Sequence, residues 1–140
     1  MQDKGLNRIF ACCGREWRIC GADMNKLWEA MGKDDGDDRI PYWNEVWPSS
    51  LAMAGWLAES RDDIKGRRCL DLGCGLGFTA LVGRWLGADV VGGDYEEAAL
   101  LYAQKNEKIN EISGIQWEQM DWRQAVAQKG SFERIWASDV

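Results

Sequence analysis

The chain has 140 residues, enough for one domain with a hydrophobic core; 46% of them are apolar and 29% charged, the balance of a globular protein. Its formal charge of -6, with no basic stripe or run, argues against nucleic acid or an anionic membrane surface as partner. No apolar run has the length to span a bilayer, and the opening "MQDKGLNRIF" lacks a signal peptide's apolar core, so the expected location is the cytoplasm.

The five cysteines are an odd number that suits free thiols in a reducing compartment. Cys12, Cys13 and Cys20 lack the paired C-x-x-C spacing of zinc ribbons, and no histidine is present to complete a mixed site. They read as small thiols buried on a hairpin, and no metal is expected. The absence of histidine also removes a Ser-His triad and an imidazole base.

In chain order, residues 8–20, "RIFACCGREWRIC", read as two short strands with a turn around Gly14 and Arg15. Asp23 is a candidate N-cap for "MNKLWEAM", where Met24, Leu27, Trp28 and Met31 fall on one helical face closed by Gly32. "KDDGDDR" lacks the alternating acid order of a calcium loop and reads as a solvated acidic linker. Pro48 and the two serines after it start a helix that is apolar almost all round, so it is expected to be largely buried. Beyond "RDDIKGR" the pattern alternates: strand "RCLDLG", helix "FTALVGRWLG", strand "ADVVGGD", helix "EEAALLYAQKNEKIN", strand "GIQWEQMDW", a short helical "RQAVAQ" and strand "FERIWASDV". That alternation makes a parallel sheet with helices on its faces. The nine tryptophans are spread through every element, and most are expected in the core.

The turn after the first of these strands, "CLDLGCGLGF", has glycines at alternate positions, Gly73, Gly75 and Gly77. A dinucleotide fingerprint would place its third glycine where Phe78 stands, and Asp71 just upstream would repel a pyrophosphate. Beside a cationic amino-acid moiety the same carboxylate is favourable, directly or through water. Asp94 closes the second strand about twenty residues beyond the glycine turn, the place for an acid that accepts from ribose hydroxyls. Tyr95 could cover one face of a base, and Asp121 and Trp122 stand where an adenine amino group could be read. Asp139 ends the fourth strand. Each residue also has a structural alternative: a tight turn without ligand for the glycines, a local side-chain turn for Asp71, a helix N-cap for Asp94 and a core wedge for Trp47.

"LDLGCGLG", "VVGGD", "MDW" and "FERIWASDV" together resemble the class I S-adenosylmethionine-dependent methyltransferases, and "PYWNEVWPSSLAMAGWL" is similar to the approach segment of the seven-strand protein lysine methyltransferase group. The resemblance implies an α/β fold: the N-terminal, cofactor-binding half of a Rossmann-like methyltransferase sheet at residues 48–140, preceded by a β-hairpin-plus-helix extension and linker at residues 1–47. It implies S-adenosylmethionine as cofactor, bound by Trp47, Asp71, Gly73, Gly75, Gly77, Asp94, Tyr95, Asp121 and Trp122. The implied acceptor is a protein lysine, with Asp139 matching the family's catalytic acid. Two alternatives stay open, a small-molecule methyltransferase and an inactive S-adenosylmethionine-binding or self-associating module. Four strands can be counted where the family has seven, so the domain is expected to be truncated after the fourth. "RIWAS" would then be an open sheet edge through which the chain self-associates into a homo-oligomer.

Overall fold

A computed structural model describes residues 5–31, 40–124 and 131–138. Strands β1 (Asn7–Cys12) and β2 (Arg15–Cys20) pair antiparallel, with Phe10 opposite Trp17. Cys13 and Gly14 form the turn, both at positive φ (55° and 81°), the two-residue geometry whose twist matches the strands. The turn thus lies one residue earlier than the spacing suggests. Alternate residues Trp17 and Ile19 of β2 point inward and are fully buried.

Helix α1 (Met24–Met31) starts as expected, the Asp23 carboxylate accepting the Asn25 N–H at 2.9 Å. Its apolar stripe is only partly covered by the described residues: Asn44 Nδ2 reaches Met24 Sδ at 3.1 Å, but none of the helix is buried and Trp28 is 49% exposed. The acidic linker at residues 33–39 lies outside the described residues. A 3-10 turn at Tyr42–Asn44 leads into α2 (Pro48–Glu59), with Pro48 at the first helical position, where its missing N–H costs nothing. Only Ala54 and Leu57 of α2 are buried. The expectation of a largely buried helix is therefore corrected: α2 packs along one side, mainly on one later helix and also against β1, and its other side, with Trp56 53% exposed, looks onto an open apolar groove. A single turn, α3 (Arg61–Ile64), follows.

The parallel sheet consists of β3 (Arg68–Leu72), β4 (Asp89–Asp94), β5 (Gln116–Gln119) and β6 (Arg134–Ala137), in the order β5-β4-β3-β6. This is the Rossmann-like order, with the first sheet strand central and the fourth beside it. Helix α4 (Phe78–Trp85) connects β3 to β4, and α5 (Glu97–Ile109) connects β4 to β5. Among the described residues both helices and α2 gather on one face, over Cys69, Val90 and Trp136; the opposite face shows only the small cluster of Leu70, Val91 and Met120. The expected short helix near residues 123–128 falls mostly outside the described residues.

The hairpin shares this core. Phe78 packs against Phe10 (ring centroids 5.6 Å apart) and meets Trp17 edge-on at 6.1 Å. The ring at the first turn of α4 thus holds the hairpin, where a dinucleotide fingerprint would need a glycine. Of the nine tryptophans only Trp17 and Trp136 are buried, so most are not core; a small domain has too little interior for side chains of that size.

One polar residue ties these layers together. Asn106 on α5 is fully buried; its Oδ1 accepts the Cys20 N–H at 2.8 Å, and its Nδ2 donates to the Cys20 carbonyl at 2.9 Å and the Leu76 carbonyl at 3.0 Å. Asn106→Ala leaves those backbone groups unpaired in the core, so a loss of about 2–4 kcal/mol is expected from the desolvation cost of unsatisfied groups. Urea unfolding measures it. A change below about 0.5 kcal/mol would show that the backbone finds other partners.

Candidate functional site: a cleft at the carboxyl edge of the sheet

The glycine turn builds the floor of the site. After β3 the Gly73 and Cys74 N–H groups both donate to the Gly93 carbonyl, at 2.8 and 3.0 Å, and tie the turn to β4. Gly75, at φ 53°, donates its N–H to Asp94 Oδ2 at 2.8 Å; a Cβ there would lie 3.1 Å from the Trp43 carbonyl oxygen. Gly77 has a different reason to be glycine. It ends the turn at φ 87°, and a Cβ would stand 2.9 Å from both the Ala103 methyl and the Trp117 ring. Gly75 lets the approach segment come close, whereas Gly77 lets α4, α5 and the β5 side chain pack.

Above this floor lies a cleft of about 240 Å³, walled by Trp43, Trp47 and Ser50 on one side and by Asp94, Tyr95, Glu96 and Trp122 on the other. The Trp47 indole N–H donates to the Tyr42 carbonyl at 3.0 Å, which fixes the ring against that of Tyr42 with centroids 6.2 Å apart. Trp43 packs on Tyr102 of α5 at 5.9 Å. Glu45, Asp94 and Glu96 line the cleft, and among the described residues no Lys or Arg does. That charge pattern favours a cationic ligand and repels a pyrophosphate.

The four strand-end acids fare differently. Asp94 is 94% removed from solvent by its neighbours, with 6% exposure. Its Oδ2 takes the Gly75 N–H, and its Oδ1 takes the Glu96 N–H at 2.9 Å. A carboxylate has about four acceptor positions, so two remain for hydroxyls entering the cleft. Because α5 begins at Glu97 with Glu96 as its cap residue, Asp94 is not the helix N-cap. Asp71 is not among the cleft-lining residues. It is 1% exposed beneath α4, where Thr79 Oγ1 donates to its Oδ2 at 2.6 Å. Burial pushes its pKa up to about 7, against the downward pull of the Thr79 bond, and the nearby charge of Asp94 adds to the rise. The Trp136 indole, in register with Asp71 on β6, helps hold the value down without reaching hydrogen-bond geometry.

Asp121 follows β5 and is engaged by Arg123, which donates through Nε at 2.8 Å and Nη2 at 2.9 Å and holds the carboxyl below its usual range. Asp139 lies outside the described residues, although Ser138 before it lines the cleft. The structure therefore brings Trp47, Gly73, Gly75, Asp94, Tyr95 and Trp122 to one cleft, while Asp71, Gly77 and Asp121 stand behind or beside it.

The sequence pattern of the "Methyltransferase domain" family matches residues 69–140, just over half of the chain. The chain belongs to the methyltransferase domain family. This methyltransferase domain is 36% identical over 76 residues to the electron transfer flavoprotein beta subunit lysine methyltransferase of Danio rerio, a match covering 54% of this chain and 30% of that protein. It is 28% identical over 100 residues to the protein N-lysine methyltransferase METTL21A of Danio rerio, covering 68% of this chain and 46% of that one. The chain thus spans less than half the length of these curated relatives. Among solved structures, the T. thermophilus 16S rRNA N2 methyltransferase RsmC, in complex with AdoMet and guanosine, superimposes with a TM-score of 0.70 at 24% identity. That match covers 95% of this chain and 32% of RsmC, and it shows the shared fold.

Several residues of the methyltransferase domain's cleft carried no clear sequence signal. Trp43 and Glu45 lie in the approach segment between more conspicuous residues, and Glu45 is held by Arg8 of the hairpin in an exposed ion pair. Ser50 and Ser138 meet across the mouth, Oγ to Oγ at 3.0 Å, joining α2 to the end of β6. Ser50 follows Pro48 and reads only as a helix start; its second role depends on β6 lying beside β3. Arg123 was legible in principle, since an arginine two residues after Asp121 can turn back onto it.

Proposed function

We propose that the cleft binds S-adenosylmethionine and that the chain serves protein lysine methylation. The observation that carries the reading is Asp94: a carboxylate at the tip of β4, oriented by two backbone N–H groups, with acceptor capacity left in a cleft lined by acids and aromatic rings and, among the described residues, by no cation. These residues fit the cofactor. Asp94 would accept from the ribose hydroxyls, Trp47 and Tyr95 would cover apolar faces, and the acidic lining would favour the positively charged amino-acid and sulfonium end. In this reading residues 48–140 form the cofactor-binding domain, and residues 1–47 are an extension whose end brings Trp43 and Trp47 over the glycine turn. Among the described residues no helix is long and apolar enough to cross a membrane, and a cytoplasmic location is part of the proposal.

The cofactor supplies an electrophilic methyl group on sulfur, so the chain's residues are left to align, to exclude water and to manage one proton. A lysine of ordinary pKa, about 10.4, is neutral in only about one molecule in a few thousand at pH 7. The aromatic walls would favour the neutral amine by keeping water away, and Asp139 is proposed to orient it. Lysine is favoured as acceptor because several curated relatives that the chain matches are named lysine methyltransferases.

Calorimetric titration with S-adenosylhomocysteine tests the cofactor, and labelled S-adenosylmethionine added to a lysate tests the acceptor. One-to-one binding, unaffected by a nicotinamide dinucleotide, is expected, with label in protein acid-hydrolysed to methyl-lysine. Absence of binding rejects the cofactor reading. Label found only in metabolites rejects the lysine reading and leaves the cofactor standing.

A further inference from the structure

Two thiols share the end of the hairpin. Alternate residues of β1 face inward, so Phe10 and Cys12 are half-buried while Ala11 between them is exposed. Strand alternation alone would turn Cys13 outward. At Cys13 the chain instead leaves the strand at φ 55°, and both Cys12 and Cys13 pack against the main core cluster as free, half-buried thiols. Hydrogen bonds fix the pair from two directions. The Trp17 indole N–H donates to the Cys12 carbonyl at 3.2 Å, and the Cys13 thiol donates to the Ala54 carbonyl of α2 at 3.4 Å. Burial pushes the Cys12 thiol up to about 12, and hydrogen bonding and charge from the adjoining Cys13 add to the rise. The two sulfur atoms therefore lie within each other's reach, and Cys12 is held as a neutral thiol at pH 7.

Such a pair suits one ligand chemistry. Two soft sulfur donors stand side by side, and among the described residues no group of three or more Cys, His, Asp or Glu side chains could hold a metal ion. Zinc, which takes four ligands in a structural site, is therefore not served. A trivalent organoarsenical needs two soft donors only, and it condenses with neutral thiols. We propose that Cys12 and Cys13 form a vicinal dithiol site that chelates a thiophilic trivalent arsenical of the R–As(OH)2 class. Two As–S bonds form and two As–O bonds break. Each thiol proton leaves with one hydroxide as water, and arsenic stays trivalent, so no oxidant or reductant is consumed. The pair is not among the residues lining the cleft, so its chemistry does not depend on what the cleft binds.

Phenylarsine oxide is the probe, added to the full chain in its folded, reduced form. Intact mass is expected to show one adduct per chain, kept in excess 2-mercaptoethanol and removed by 2,3-dimercaptopropanol, because only a dithiol competes with a chelate. Cys12→Ser and Cys13→Ser should each lose the retained adduct. Its location can also be read without a variant. The remaining thiols are alkylated in urea, the arsenic is removed, and a second alkylating label should then appear on the tryptic peptide "IFACCGR", residues 9–15, which contains both cysteines. The turn presets the pair, so the folded chain should bind at least about tenfold more tightly than that peptide alone. An adduct retained on Cys20, Cys69 or Cys74, all three buried, would overturn the proposal. So would loss of the adduct to the monothiol, or a peptide that binds as tightly as the folded chain.

Discussion

Asp94→Ala is expected to weaken S-adenosylhomocysteine binding by about 100-fold or more. Two charge-assisted hydrogen bonds from ribose hydroxyls to the free acceptor positions would contribute about 1.5–3 kcal/mol each, and about 1.4 kcal/mol is a factor of ten in affinity. The variant also removes the acceptor for the Gly75 and Glu96 N–H groups, so the glycine turn loses its tie to β4 on that side. Asp94→Asn separates the two effects. It keeps the shape and one acceptor oxygen, and it should retain more stability than Ala while still losing at least about tenfold in affinity. Titration calorimetry and urea unfolding on both variants give the two readouts. An affinity within about threefold of the natural chain for both substitutions would show that the ligand does not touch Asp94.

The second large effect is one of pH. Asp71 is buried beneath α4, with a folded-state pKa raised from 3.8 to about 7. The folded chain therefore holds this proton more tightly than the unfolded chain does. Between about pH 4 and pH 7 the folded state binds more protons, so stability falls as pH rises through that window and levels off above it. Each pK unit corresponds to about 1.4 kcal/mol, so the contribution across the window is a few kcal/mol at most. Asp71→Asn removes the titration while leaving a carbonyl oxygen to accept the Thr79 hydroxyl. The variant is expected to be more stable than the natural chain at pH 8 and to differ less at pH 5. Equal slopes of stability against pH for the two proteins, followed by urea midpoints, would show that Asp71 is ionised and accommodated in the folded state throughout.

Much of this molecule can be read along the chain. Alternating strands and helices, the glycine spacing after "CLDL" and an acid closing the next strand are local patterns, and local patterns set backbone dihedrals and periodicity. They give the parallel sheet, the turn and the position of Asp94 without any knowledge of contacts. The burial of α1 and α2 was not legible in the same way. An apolar stripe shows that a face could be covered, but the cover must come from another element, and the described residues leave Trp28 49% and Trp56 53% exposed.

The acids show the same division within the site. Asp71, Asp94 and Asp121 all stand at or just beyond strand ends in the sequence, and that position was determined by the sequence alone. Only the packing decided that Asp71 turns under α4 to Thr79, that Asp94 faces the cleft and that Asp121 is captured by Arg123. The physical reason is that spacing fixes where a side chain leaves the backbone, whereas its environment is set by groups brought near from elsewhere in the fold.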